Sequence, residues 1–500
     1  MSQEIELKLS LQHHALAALR RHPVIRDAPK QGNAVTLENT YYDTPELTLK
    51  ARKIAVRTRR QGRQWLQTVK CAAQSTGGLT QRPEWEQPYD GSFDFSSIDT
   101  ARVRKVLERH RDALVPVFST RFKRETRIYA PDERCRILIM IDTGEVVCGE
   151  HVEPICEIEL ELDAGKPLDL LVLACRLAAD LPLLPDDVSK AERGYRLHLG
   201  VRAEPERATE SDIRAGQTPV EAFRQLAFSC ARQWQANARG AAGSDDPEFI
   251  HQLRVSQRRL RSLIRLFAPA LPDDFVTDWN ERFKLNANRF GEARDLDVLY
   301  DEILAPVAGT STAEDAALAR LQSTVRTARD QAREATAHCL DPAAQGRLLI
   351  GFIAALHTLP SNNLIGAADL RVFAGLQLDA VRKKVRKRYK AARTLVPEHL
   401  HALRIALKQL RYGMEFFAPL MPARRSNDYT RHLTRAQKAL GFIHDLDVAR
   451  ERLLEHAGDD PEMNAAAAFV CGWHGPRYAR LCQRSIDELR TLVKGDAPWQ

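Results

Sequence analysis

Over the first two hundred residues, apolar positions alternate with polar ones in short spans: Ile5, Leu7 and Leu9; Ile54 and Val56; Ile137, Ile139 and Ile141; Ile158, Leu160 and Leu162. A period of two is that of half-buried strands. Helical spacing is clear only around His13 to His22 and Leu168 to Leu181, which predicts a mostly antiparallel sheet with few helices. Farther on the period becomes 3.6, in long Ala-, Leu- and Arg-rich runs broken by Pro and Gly, which predicts an all-helical half. The polar, proline-broken stretch from Arg202 to Pro219 reads as a linker. The expected division is a strand-rich domain over 1–203, a linker over 204–217 and a helical domain over 218–495.

Composition narrows the class. The 500 residues are 44% hydrophobic, too apolar for a disordered chain. The longest apolar stretches, Leu348 to Leu356 and Ala465 to Cys471, fall short of the roughly 18 residues a membrane span needs. The chain opens with alternating charge at Glu4, Glu6 and Lys8 instead of a signal sequence, so a cytoplasmic location is expected. The nine cysteines are scattered without a C-x-x-C pair and read as buried thiols in a reducing compartment. Net charge is +8, and residues 1–202 hold 31 basic and 29 acidic side chains against 43 and 37 in the remainder. A polyanionic partner is implied, but a near-balanced first half needs a finer reading.

That reading comes from which charges share a strand face. Glu4 with Glu6, Arg57 with Arg59, Glu84 with Glu86, and Glu157 with Glu159 and Glu161 each place like charges two apart. Same-face like charges repel unless something neutralises them, and a closed sheet holding a metal and a polyanion would do so. The run Glu4-Ile5-Glu6-Leu7-Lys8 resembles the E-x-E-x-K signature of the CYTH superfamily, the triphosphate tunnel metalloenzymes. Tyr41-Tyr42-Asp43-Thr44, Arg57-Thr58-Arg59, Thr68-Val69-Lys70, Gly77-Gly78-Leu79 with Arg82 and Glu84, Arg124-Glu125, Ile141-Asp142, Glu157-Ile158-Glu159 and Ser189 to Tyr195 continue the likeness, closest to the bacterial inorganic triphosphatases. The resemblance implies an α+β, eight-stranded antiparallel tunnel and a divalent metal, Mg²⁺ or Mn²⁺, held by Glu4, Glu6, Asp142, Glu157 and Glu159. Lys8, Arg57, Arg59, Lys70, Arg82, Arg124, Lys190 and Arg193 would grip inorganic triphosphate, with Glu4, Glu6 and Lys8 as the catalytic set. Water would attack a terminal phosphorus in line. Glu161 is expected at the rim, and Arg121 and Lys123, on the face opposite Arg124, in solvent.

The helical half is one unit written twice. His251-Gln252-Leu253-Arg254 returns 150 residues later as His401-Ala402-Leu403-Arg404, Phe267-Ala268-Pro269 as Phe417-Ala418-Pro419, and Gly291 with Asp295 and Asp297 as Gly441 with Asp445 and Asp447. On a helix, His251, Arg254, Arg258, Arg261 and Arg265 fall within about 80° of one another, and His401, Arg404, Lys408 and Arg411 repeat this stripe. Leu253, Leu260, Leu263, Ile264 and Phe267 form a separate apolar arc. A third basic run carries Arg382 and Arg386. These features resemble the CHAD domain, implying tandem four-helix bundles whose basic helices bind inorganic polyphosphate through the residues just named. The four aspartates are expected to pair with stripe arginines more than to hold metal. The alternative reading is a non-catalytic polyphosphate-binding or granule-associated protein; nucleic acid is disfavoured by the 7% aromatic content.

Overall fold

A computed structural model describes residues 2–71, 75–241, 244, 246–308, 316–360 and 369–499. The chain forms two compact units: Met1–Glu206, Gln235–Ser244 and Asp341–Thr358 make the first, and Arg207–Trp234, Asp245–Leu340 and Leu359–Gln500 the second. The single cut expected at 204–217 therefore misses two helical segments that pack with the strands.

In the first unit the strands are β1 (Ser2–Ser10), β2 (Val35–Asp43), β3 (Ile54–Gln61), β4 (Gln64–Cys71), β5 (Ser75–Thr76), β6 (Leu79–Pro88), β7 (Val115–Asp132), β8 (Cys135–Cys148), β9 (His151–Ala164) and β10 (Leu184–Pro185). Antiparallel neighbours run β1-β9-β8-β7-β2-β3-β4-β6, and β6 pairs back onto β1, closing an eight-stranded tunnel. The two-residue β5 and β10 are appendages on β6 and β1. Closure turns one face of each strand inward, and the inward face is the charged one. The apolar face looks outward: Leu7, Leu9, Ile158 and Leu160 are fully buried, with α1 (Pro167–Asp180) packed on β1 and β9. Tyr41, Phe118, Phe122 and Tyr195, the last carried by α2 (Lys190–Leu199), form a buried aromatic cluster. Gly194 permits this close fit, since a Cβ there would lie 2.1 Å from the Phe118 ring.

The helical elements that follow are α3 (Pro219–Ala241), α4 (Pro247–Phe267), α5 (Asp273–Asn288), α6 (Gly291–Val298), α7 (Ala316–Cys339), α8 (Pro342–Thr358), α9 (Leu370–Ala392), α10 (Pro397–Phe417), α11 (Ala423–Ala457) and α12 (Pro461–Lys494). The 150-residue repeat reaches helix boundaries: α4 and α10 begin and end at equivalent residues. Each copy contributes four helical stretches, the third broken at Arg289 and Phe290 in the first copy and continuous as α11 in the second. The end of α3 and all of α8, which has no counterpart, belong to the tunnel unit. Asn237 exchanges hydrogen bonds of 3.0 and 2.8 Å with the Glu206 backbone, and α8 covers α1 and β10, with Gly346 against the Leu183 carbonyl.

Within the second unit, the predicted apolar arc of α4 is fully buried. The equivalent pairs Phe223/Phe373 and Phe267/Phe417 meet in one cluster, with the Phe267 and Phe417 rings 5.4 Å apart. A second core joins Leu296, Ile303 and Leu321 to Leu446, Leu453 and Val470. Both cores draw on both repeats.

Candidate active site

The bore of the tunnel is a cavity of about 630 Å³. Glu4, Glu6 and Lys8 of β1, Arg57 and Arg59 of β3, Lys70 of β4, Arg82, Glu84 and Glu86 of β6, Arg124 of β7, Glu159 and Glu161 of β9 and Lys190 of α2 all line it. Register explains the convergence: Glu4 stands opposite Arg82, Glu6 opposite Glu161, Lys8 opposite Glu159 and Lys70 opposite Glu84. Arg121 and Lys123 are exposed, on the face opposite Arg124, as the resemblance implied. The Tyr41 to Thr44 segment braces this arrangement, because Asp43 accepts hydrogen bonds from the backbone N–H groups of Leu49 and Lys50 and from the Tyr195 hydroxyl.

Charge is sorted along the bore. Glu4 accepts from Lys70 Nζ at 2.9 Å and Arg82 Nε at 3.0 Å, and Glu6 from Arg82 Nη2 at 2.6 Å. Burial pushes Glu4 up, but Lys70 and Arg82 override it and hold the carboxyl at about 2. Burial also raises Glu6; Arg82 opposes the rise, while Glu159 and Glu4 add to it. Glu161 forms no ion pair among the described residues, and its carboxyl is pushed up to about 7 by burial, with Glu4, Glu6 and Glu84 adding and Lys70 opposing. On the other wall the excess is positive. Arg59 is drawn down to about 10 by burial and by Arg57 and Arg124, and its closest carboxylate, Glu86, is 3.9 Å away. Arg57 donates to the Tyr41 hydroxyl at 3.5 Å and lies 3.8 Å from Glu84.

The acidic residues divide differently from the sequence expectation. Asp142, Glu157 and Glu159 bring ligand oxygens within 4.8 Å of one another, a spacing a metal could use. Lys190 already fills their centre, donating to Asp142 at 2.7 Å, to Glu159 at 2.8 Å and to Glu157. Arg124 adds two bonds to Asp142, at 2.8 and 2.6 Å. Asp142 and Glu157 are 0% and 2% exposed and do not line the bore. They accept from Lys190 and Arg124, and Glu161 lines the cavity where they do not. Alternation reports which face a residue occupies but not its depth along a tilted strand, so three same-face glutamates could not be ranked beforehand. Arg193 also misses the bore: it donates to Glu153 at 2.6 Å and to the Pro154 carbonyl, and lies 3.5 Å from Glu157. Lys8 lines the cavity, with Nζ donating to the Val188 carbonyl.

In the second unit the two cationic stripes influence each other electrostatically. Arg258 of α4 acts on both Arg404 and Lys408 of α10. Buried Nε atoms of Arg258 and Arg261 have no hydrogen-bond partner. Lys408 is pushed down to about 7 by burial and by Arg258, Arg404 and Arg411. Arg254 donates to the Phe290 carbonyl, and Arg265 is exposed. Arg411 is tied to Gln437 at 2.7 Å and to Glu415. His401 and His444 bring their Nδ1 atoms to 3.0 Å, and His251 stands half-buried on the first stripe. Of the four aspartates, Asp445 faces a stripe residue, Arg404, at 3.8 Å, whereas Asp297 pairs with Arg333 at 2.6 Å and Asp447 accepts from Tyr478 at 2.9 Å. Arg382 and Arg386 do not join the stripes' unpaired cations. Arg382 donates to the Gly495 carbonyl and Arg386 to that of Val493 at 3.0 Å, binding the orphan carbonyls at the end of α12.

Known proteins share both halves. The CYTH domain family matches residues 2–195 and the CHAD domain family residues 225–454. The inorganic triphosphatase of Haemophilus influenzae is 30% identical over 197 residues, 39% of this chain and 55% of that protein, so the chain spans about half the length of that relative. The crystal structure of the CHAD domain from the plant Ricinus communis superposes with a TM-score of 0.51 at 26% identity, covering 59% of this chain and 99% of that one. No helix among the described residues is long and apolar enough to cross a membrane. A closed polar-bored tunnel followed by a duplicated helical unit thus has a family for each part: the chain carries a CYTH domain joined to a CHAD domain.

Proposed function

We propose that the tunnel hydrolyses inorganic triphosphate to pyrophosphate and phosphate with a divalent metal, Mg²⁺ or Mn²⁺, and that the helical domain binds polyphosphate. The observation that carries the reading is the sorted bore: buried carboxylates along β1 and β9, and crowded cations from β3, β7 and α2 facing the same 630 Å³. Hard oxygen donors suit Mg²⁺ or Mn²⁺, and Glu161, pushed up to about 7 by burial and by its acidic neighbours, is a carboxylate whose ionisation a cation would relieve. Glu4, Glu6, Glu159 and Glu161 would hold the metal. Bound there, it would polarise phosphoryl oxygens and lower the pKa of a bound water. The chain's own contribution is positional. Arg57, Arg59, Arg124 and Lys190 hold phosphate oxygens with charge-assisted hydrogen bonds and stabilise the charge that grows on the departing pyrophosphate. Lys70 and Arg82 keep Glu4 ionised.

Phosphate release from triphosphate, ATP, thiamine triphosphate and long polyphosphate, with Mg²⁺ or Mn²⁺, tests the reading. Triphosphate should be the preferred substrate, and Glu4→Ala/Glu6→Ala should lower its hydrolysis by at least about 10²-fold. Metal-dependent hydrolysis surviving in the double variant would sink the tunnel mechanism.

A further inference from the structure

The last turns of α3 lie beyond residue 225, where the CHAD match begins, yet belong to the compact unit of the tunnel. From there Arg239 reaches the carboxylate of Asp186 at 2.5 Å and lies 3.8 Å from Glu153. Asp186 is 2% exposed and sits at the head of a short turn on which several bore residues depend. Its backbone N–H donates to the Lys8 carbonyl at 2.9 Å, and its side chain accepts from the Val188 N–H at 2.9 Å. The Val188 carbonyl in turn accepts from Lys8 Nζ, and the next residue, Ser189, caps α2, which begins with Lys190. The adjoining Asp187 carboxylate accepts from the Gly78 N–H at 2.8 Å; Gly78 has φ +82° and would place a Cβ 2.3 Å from the Lys8 carbonyl. On the far side, Glu153 is shared between Arg239 and Arg193, and Arg193 leads to Glu157 beneath Lys190.

We propose that Arg239, supplied from the CHAD side of the sequence, is a positioning residue for the phosphate chemistry of the tunnel. By neutralising Asp186 and sharing Glu153 it fixes the 186–189 turn, and through that turn the places of Lys8 and Lys190. Arg239 does not line the bore and touches no substrate. A buried carboxylate without a cation keeps poor hold of a turn, because protonation or rotation relieves it. Burial pushes Asp186 up, and Lys8 and Arg239, with the Val188 N–H and Arg193, bring it below the usual carboxylate range. The arrangement makes the tunnel of this chain dependent on a residue outside the CYTH match.

The proposal rests on the triphosphatase reading, and its test separates the two. In the full-length protein, kcat and KM for triphosphate and the melting temperature are measured for wild type, Arg239→Gln, Arg239→Lys and the double variant Asp186→Asn/Arg239→Gln. Misplacing reacting groups by about an ångström costs up to about 10²-fold, so Arg239→Gln should lower kcat by about tenfold or more with KM changed less than about twofold. Arg239→Lys should recover much of kcat. The double variant removes both charges of the Asp186–Arg239 pair, so it should recover much of the melting temperature while kcat stays low. Wild-type kcat in Arg239→Gln, or a kcat that returns together with the melting temperature in the double variant, overturns the positioning role and leaves the triphosphatase reading standing. An inactive wild type overturns both.

Discussion

The tunnel and the helical domain both gather cations, but they leave opposite charges unsatisfied. In the tunnel each of Lys70, Arg82, Arg124 and Lys190 sits against a carboxylate, and the group left over is an acid, Glu161, driven up to about 7. In the helical domain Arg258 and Arg261 keep buried unpartnered nitrogens, and the group under most pressure is a base, Lys408, driven down to about 7. The tunnel leaves an acid short of a cation beside a crowded cationic wall, whereas the stripes leave bases short of an anion. Net charge cannot reveal this, since a paired cation and a stranded one count alike. On the proposed reading the tunnel would exchange its internal pairs for metal and phosphate, whereas the stripes would lower their own repulsion when an anion arrives.

The contrast can be broken most directly by reversing charge in one site and reading the other. Arg254→Glu/Arg404→Glu should weaken polyphosphate binding by about 10²-fold in calorimetry, with triphosphate kcat unchanged. A matching loss of kcat would mean the sites are not separate.

Next in size is pH. Lys408 has a folded pKa below that of a free lysine, so it binds fewer protons in the fold than in the unfolded chain, and the stability it contributes is lost as pH falls from 10.5 toward 7. Polyphosphate favours the protonated form, so binding must take up a proton above 7. Affinity should fall by roughly tenfold from pH 6 to pH 8, and Lys408→Met should flatten the profile. His444, held at about 4 by burial and by Arg404, His401 and Lys408, stays neutral across that window.

Glu161 provides the mirror experiment. Its raised pKa makes the metal-free fold lose stability as pH rises from 4.5 through 7, because the ionised form is the costly one. Mg²⁺ should therefore raise the melting temperature more at pH 8 than at pH 6, by a few degrees at millimolar metal. Glu161→Gln should remove most of that difference. The smallest effect is expected where the sequence placed binding and the structure places carbonyl caps: Arg382→Ala/Arg386→Ala should change polyphosphate affinity by less than about twofold while lowering the melting temperature by about 2–4 °C.

These cases show what could be read from the chain before folding. Strand faces were legible because parity is a local property: counting puts Arg57 with Arg59 and sets Arg124 against Arg121 and Lys123, and the family resemblance picked Arg124's face as the inward one. The duplication was legible to single residues, as α4 and α10 share their boundaries. Depth was not legible: Glu161 lines the bore, whereas Asp142 and Glu157 on the same set of strands do not. Nor was the destination of Arg382 and Arg386, since a run of like charges does not show which of its members faces the end of a helix a hundred residues away. Arg239 was invisible for the same reason: its role depends on a turn in another part of the chain.

The shared cores of the repeats carry a consequence for ancestry. Phe267 packs on its own equivalent, Phe417, and Leu296 and Leu321 share a core with Leu446 and Val470. A single repeat would therefore leave these faces open to water, and the surface that best fits them is a second identical chain. Before the gene doubled, the stable form of this domain would have been an isologous homodimer.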